Sequence, residues 1–109
     1  MWYHEKEAST VGVLLDYGTK HDEELLTFTY GTDESYICKF MTAYESDNTA
    51  EVEDQGAAYK EFFVIAYAVL KVIFPGPHYG SDDGGIEVTY FDMPEQVQDS
   101  QGNVIYQAR

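Results

Sequence analysis

The sequence is poor in the residues that announce chemistry. It holds a single cysteine, Cys38, so no internal disulfide can close and no Cys-based metal cage can form. One free thiol fits a reducing compartment. Six Lys+Arg stand against 20 Asp+Glu, which leaves a net charge of −14. Phosphate binding rests on Lys and Arg, so this scarcity argues against DNA, RNA and anionic membranes as direct ligands. The longest apolar run, Phe62–Leu70, is too short for a bilayer, whose crossing takes about 20 residues. The opening residues MWYHEKEAST lack a basic segment followed by an apolar one. No signal peptide is therefore expected, and the chain reads as a cytoplasmic protein.

Catalytic motifs are missing too. No G-x-x-x-x-G-K-[ST], G-x-S-x-G or H-E-x-x-H occurs. The stretches SDDGGIEVTYFDMPE and DNTAEVEDQG both fail the EF-hand pattern. His78, Asp82 and Asp83 share one loop, but at no established metal spacing. His21 lies beside Asp22, Glu23 and Glu24 in what reads as a hairpin tip. Cys38 falls mid-strand in an anionic chain, the reverse of the cationic setting that makes a thiol reactive, and reads as a small core residue. With 20 carboxylates, no pair is singled out for acid–base work. The expectation is a protein without enzymatic activity, cofactor or metal.

What is present begins with 109 residues, 44% of them hydrophobic. That length is one domain, and such a chain buries roughly 60–70% of its unfolded surface without staples. TVGVLLDY (10–17) and ELLTFTYG (24–31) are rich in β-branched, aromatic and Leu residues and read as a hairpin. YICKFMTAY (36–44) follows as a third strand, with Tyr36, Cys38, Phe40, Thr42 and Tyr44 on one face. Residues 57–74 read as a helix with two adjacent apolar stripes, one led by Phe62 and Ile65, the other by Phe63 and Ala66. An ordinary surface helix carries one stripe of about 100°. This one needs wider cover, either from a curled sheet or from a second copy packed on the Ala57–Phe74 helix. PGPHYGSDDGG (75–85) is a loop, IEVTYFD (86–92) a strand, and 95–107 a final hairpin. The expected fold is α+β: an antiparallel sheet of about five strands, β-β-β-α-β-β, against one hydrophobic helix.

The acids are unevenly placed. AYESDNTAEVEDQG (43–56) holds Glu45, Asp47, Glu51, Glu53 and Asp54 and no cation, and it runs directly into the apolar stretch. Asn48 or Asp54 can cap a following helix, and Glu51, Glu53 and Asp54 would then sit at the positive end of its dipole. Glu45 and Asp47 are not explained that way. From Val72 to Ala108 there is no Lys or Arg, while Asp82, Asp83, Glu87, Asp92, Glu95 and Asp99 fall there. Ten tyrosines are present, and Tyr17, Tyr44, Tyr79 and Tyr90 lie beside carboxylates or in acidic loops. Carboxylates pair with guanidinium groups, and tyrosine rings accept cations on their faces.

These features favour a basic protein partner: a nuclease or another protein with a groove built for nucleic acid. Rows of carboxylates can stand in for phosphates there, and long-range attraction speeds the encounter. The expected contact residues are Tyr44, Glu45, Asp47, Glu51, Glu53 and Asp54, with Asp82 and Asp83 as a second patch. In size, charge and cysteine-poor α+β build the chain resembles phage anti-restriction and anti-CRISPR proteins, which act by DNA mimicry. It resembles equally the immunity proteins that neutralise nuclease toxins; the likeness covers no motif. Two other classes stay open: an acid-adapted, halophilic structural domain, and a metal- or small-ligand binder using the HYGSDD loop.

Overall fold

The computed structural model describes residues 2–49, 52–53, 56, 58–79 and 84–108. Its first long element is a helix where the composition predicts a strand. Residues Val11–Lys20 form α1. Val11, Leu14, Leu15 and Gly18 stand at i, i+3, i+4 and i+7, one face of a 3.6-residue period, and of these Val11, Leu14 and Gly18 are buried. Asp16 and Lys20 lie on the outer side, 3.2 Å apart. The 3.6 period prevails over the strand-like composition because it matches one buried face. His21, expected at a hairpin tip, instead ends the helix, its N–H donating to the Tyr17 carbonyl.

The complementary correction falls on the greasy segment. Glu61–Phe74 is a strand, β3, and not the helix expected over Ala57–Phe74. Phe62, Phe63, Tyr67 and Phe74 are aromatic and Val64, Ile65, Val69, Val72 and Ile73 β-branched, the residue types that fit a pleated surface. Apolar residues on both faces explain the wide arc: a strand in mid-sheet alternates between two sides, and here both are apolar. The other strands are β1 (Leu25–Tyr30), β2 (Glu34–Asp47), β4 (Gly85–Val88), β5 (Gln96–Gln98) and β6 (Val104–Gln107). They form one antiparallel sheet of six strands in the order β4-β3-β2-β1-β5-β6. The class is α+β, with the helix first and the strand order changed accordingly.

The core lies between α1 and one face of the sheet. Leu26, Phe28, Tyr36, Cys38, Ile65, Tyr67, Ile86, Val88 and Val97 are buried there with Val11 and Leu14. Each such side chain contributes roughly 1.5–3 kcal/mol through burial. The Phe28 and Tyr67 rings meet edge to face with centroids 4.6 Å apart. Cys38 is fully buried in β2, and burial raises its thiol to about 12. A cross-strand shift between Phe40 and Thr42 makes Met41 a bulge. It reverses the side-chain alternation of β2. Tyr36, Cys38 and Phe40 face the helix, but beyond the bulge Ala43, Glu45 and Asp47 do so, paired with Ile65, Phe63 and Glu61. Thr42 and Tyr44, expected on the face of Phe40, turn to the open side.

The N-terminal residues are pinned to β3 by a buried acid. Glu7 is fully buried. Its Oε1 accepts the N–H groups of Tyr3 at 2.8 Å and His4 at 3.0 Å, and its Oε2 accepts that of Phe63 at 2.7 Å. Three charge-assisted bonds satisfy the carboxylate. They fix Tyr3 and His4 beside the start of β3.

Candidate functional site

β1 pairs with β2 over Glu34–Lys39, and β4 pairs with β3 over Ile65–Ala68. Beyond those stretches β2 and β3 run on together as a ribbon, ending at the Asp47–Glu61 pair. Residues i and i+2 on one face of a strand are about 6.6 Å apart, so Glu45 and Asp47 form a short row on the helix-side face. Glu61 joins them across the ribbon. Like charges opposite each other are unfavourable in a sheet, and tyrosine hydroxyls relieve this one. Tyr59 donates toward Glu61 at 3.0 Å and toward Asp47 at 3.4 Å. Tyr3 donates to Glu45. On the open face Tyr44 donates to Glu87 of β4. Hydrogen bonding to Glu45 pushes the Tyr3 phenol up to about 12, and Glu87 does the same for Tyr44. Glu61 raises Tyr59 in the same way. Asp47 is held below the ordinary carboxylate range by the side chain and backbone of Thr49.

The ribbon end has an aromatic border. The His4 and Tyr90 rings stack with centroids 4.3 Å apart, Tyr90 meets Phe91 edge-on at 5.2 Å, and Phe91 meets Phe62 at 5.1 Å. A hollow of about 400 Å³ is lined by Tyr3, His4, Tyr59, Lys60, Glu61 and Tyr90. A second, of about 310 Å³, is lined by Asp47, Asn48, Lys60, Phe62, Tyr90 and Phe91. Among the described residues, the ion pairs of Lys and Arg are Lys20–Asp16 and Lys39–Glu23, and the His78 ring contacts Glu34 and Asp92. Glu45, Asp47, Glu61 and Glu87 have no cationic partner within that set.

Of the expected contact residues, the structure gathers Glu45 and Asp47 on one face and puts Tyr44 on the other. Glu53 is exposed in a short helical turn beyond the ribbon. Glu51, Asp54, Asp82 and Asp83 lie outside the described residues. The capping account of this stretch fails because no long helix follows it. Asn48 closes the ribbon instead: its Oδ1 accepts the Lys60 N–H at 2.6 Å and its Nδ2 donates to the Ala58 carbonyl at 2.9 Å. Tyr3, Tyr59, Glu61 and the His4–Tyr90 pair were not expected here. Once the stretch from Glu61 is read as a strand, the alternation of Glu61 and Phe63 onto one face is a signal in the sequence, whereas the pairing with β2 sets that Glu45 and Asp47 share that face.

A second constellation joins His78 to the sheet. Glu34 is buried, 5% exposed. Its Oε1 lies 2.7 Å from His78 Nδ1, and its Oε2 accepts the His78 N–H at 2.8 Å and the Tyr36 hydroxyl at 2.5 Å. His78 Nε2 lies 3.2 Å from Asp92 Oδ1, and the ring stacks on Tyr30 at 3.7 Å. Both ring nitrogens thus lie within hydrogen-bond reach of a carboxylate oxygen. The cluster ties the 75–79 turn to β2 and to the 89–92 turn. It engages both nitrogens of the histidine expected to share a loop with Asp82 and Asp83. Among the described residues no group of His, Cys, Asp and Glu is arranged to hold a metal ion, and no helix is long and apolar enough to cross a membrane.

Comparison of the chain with protein-family models, with curated proteins and with solved structures finds no match.

Proposed function

We propose that this chain is a non-catalytic, acidic binding protein that covers the basic groove of a nuclease or other nucleic-acid-handling protein in the cytoplasm, inhibiting it by charge mimicry. The observation that carries this reading is the helix-side face of the ribbon. Glu45, Asp47 and Glu61 stand together there with tyrosine hydroxyls and without a cationic partner among the described residues. A surface of this kind offers acceptors to guanidinium and ammonium groups and apolar rings of the sort that anchor interfaces. The same surface serves an anti-defence protein or the immunity partner of a nuclease toxin.

The test is affinity capture from source-cell lysate with the wild-type chain and with the triple variant Glu45→Lys, Asp47→Lys, Glu61→Lys. All three positions are on the ribbon end, away from the core. The expected result is a basic nucleic-acid-binding protein retained by the wild type, released by rising salt or by double-stranded DNA as competitor, and absent from the variant. Retention of the same proteins by both chains would overturn the reading. So would a wild-type chain that holds nothing yet gains stability steeply in molar salt, the behaviour of an acid-adapted structural domain.

A further inference from the structure

We infer that the hollow between Tyr3, Tyr59 and Tyr90 is a receptor for a single arginine side chain of the basic partner. The inference rests on the reading above and narrows it to one residue type at one place. Three features of the hollow support it: its walls, its charge and its rigidity.

The walls are aromatic. Tyr3 is backed by Phe63, with near-parallel rings 5.2 Å apart, and its hydroxyl is engaged by Glu45. Tyr90 is backed by His4 on one side and met by Phe91 edge-on. Tyr59 is tethered through its hydroxyl to Glu61 and Asp47. A cation over such rings is attracted by their negative faces, and guanidinium also stacks as a plane. The charge is negative: Glu61 lines the hollow and Asp47 and Glu45 border it through the tyrosines. Carboxylate oxygens accept the two-pronged donation of guanidinium, which an ammonium cannot match in geometry.

The rigidity comes from groups already bound. Glu7 holds the backbone of Tyr3 and His4, and Asn48 holds that of Lys60. A site whose parts are fixed before binding loses less freedom on binding. Its volume, about 400 Å³, lies in the range of small-ligand clefts, about 300–1,000 Å³. Lys60 is the one Lys or Arg on the lining, and among the described residues no ion pair ties it to the acids there. Its charge has the same sign as an arriving guanidinium and repels it, so its removal tightens binding.

The experiment is an NMR titration of the full chain with Nα-acetyl-arginine amide and, separately, Nα-acetyl-lysine amide at matched ionic strength. Expected are shifts concentrated at residues 3, 4, 59–61 and 90, with the arginine probe bound at least about five times more tightly than the lysine probe. Tyr59→Ala and Glu61→Gln each weaken the arginine probe by roughly threefold or more, while Lys60→Met strengthens it. Tyr59 is 57% exposed, so its truncation leaves the core packed, and unchanged dispersion elsewhere in the spectrum checks this. Equal response to the two probes, shifts scattered over all acidic surfaces, or indifference to Tyr59→Ala would overturn the assignment. If the hollow ignores arginine while the triple lysine variant still loses its captured partner, the acidic-face reading stands and only this receptor falls. If arginine binds as described but no basic protein is captured, the reverse holds.

Discussion

At the scale of single residues, Glu34 shows how a buried charge is kept in a chain already overloaded with acids. Burial raises its carboxyl, but hydrogen bonds from Tyr36 and from the side chain and backbone of His78 outweigh this and hold it below its ordinary value of 4.5. A depressed folded pKa gives stability that is fully present above about pH 4.5 and is lost as the pH falls through the folded value. The groups facing it are Tyr36, His78 and, through the imidazole, Asp92 and Tyr30. Glu34→Gln keeps the shape and removes the charge. It is expected to cost on the order of 1–3 kcal/mol at neutral pH and to flatten the acid side of the stability profile, read as Tm by circular dichroism between pH 3 and 7. A variant whose Tm falls with acid as steeply as the wild type would remove Glu34 from this account. Gly76 belongs to the same cluster: a Cβ there would lie 2.3 Å from the Glu34 carboxyl carbon. Gly76→Ala is therefore expected to disturb the His78 contact and give a similar loss.

At the scale of elements, the helix and the longest apolar strand exchanged places relative to expectation, and both errors have one cause. In 10–17, strand-like composition obscured the i, i+3, i+4, i+7 spacing of Val11, Leu14, Leu15 and Gly18. In 57–74, nearly every position is apolar, so a helical stripe can be drawn through any of them, and the aromatic and β-branched content was the better signal. Leu25–Tyr30 was legible because Leu26, Phe28 and Tyr30 alternate with Leu25, Thr27 and Thr29. Glu45 and Asp47 were legible as acids that helix capping leaves unexplained. Their pairing with Glu61 was not, because it depends on the ribbon and on a bulge at Met41 that no local pattern marks. The docking of α1 supplies a test. A Cβ on Gly18 would meet the Phe40 ring at 2.6 Å. Alanine is favoured over glycine inside a helix by about 1 kcal/mol, but forcing a ring out of a packed site costs typically 1–3 kcal/mol. Gly18→Ala is expected to be net destabilising by about 1 kcal/mol, seen as a lower midpoint in urea with an unchanged slope. A higher midpoint would mean that Phe40 yields freely and the helix is loosely seated.

At the scale of the whole molecule, two forces oppose each other. A net charge of −14 repels a second copy as it repels nucleic acid. Yet the far end of β3 exposes Leu70 and Phe74 at 56% each, with Val72 and Ile73 beside them. This is the exposed end of the apolar segment, and self-association through that segment, expected earlier on a helix, is now expected on this stretch of strand. Its one charge is Lys71, so the stretch 70–74 itself sets no acid against the acids of a second copy. Exposed apolar strands are surfaces on which chains pair. Screening decides the balance: the Debye length falls from about 30 Å at 0.01 M salt to about 3 Å at 1 M. The chain is expected to sediment as a monomer at low salt and to associate reversibly as salt rises toward 1 M, while Leu70→Ser with Phe74→Ser stays monomeric at both. Association that ignores the double variant would place the contact elsewhere. Association that weakens with salt would mean that charge pairing, not the apolar strand, holds the copies together. The ribbon end lies at the opposite end of β3, so partner capture through Glu45, Asp47 and Glu61 is expected to survive the double serine variant unchanged. That outcome would separate the acidic surface from the apolar one as two independent contacts on one sheet.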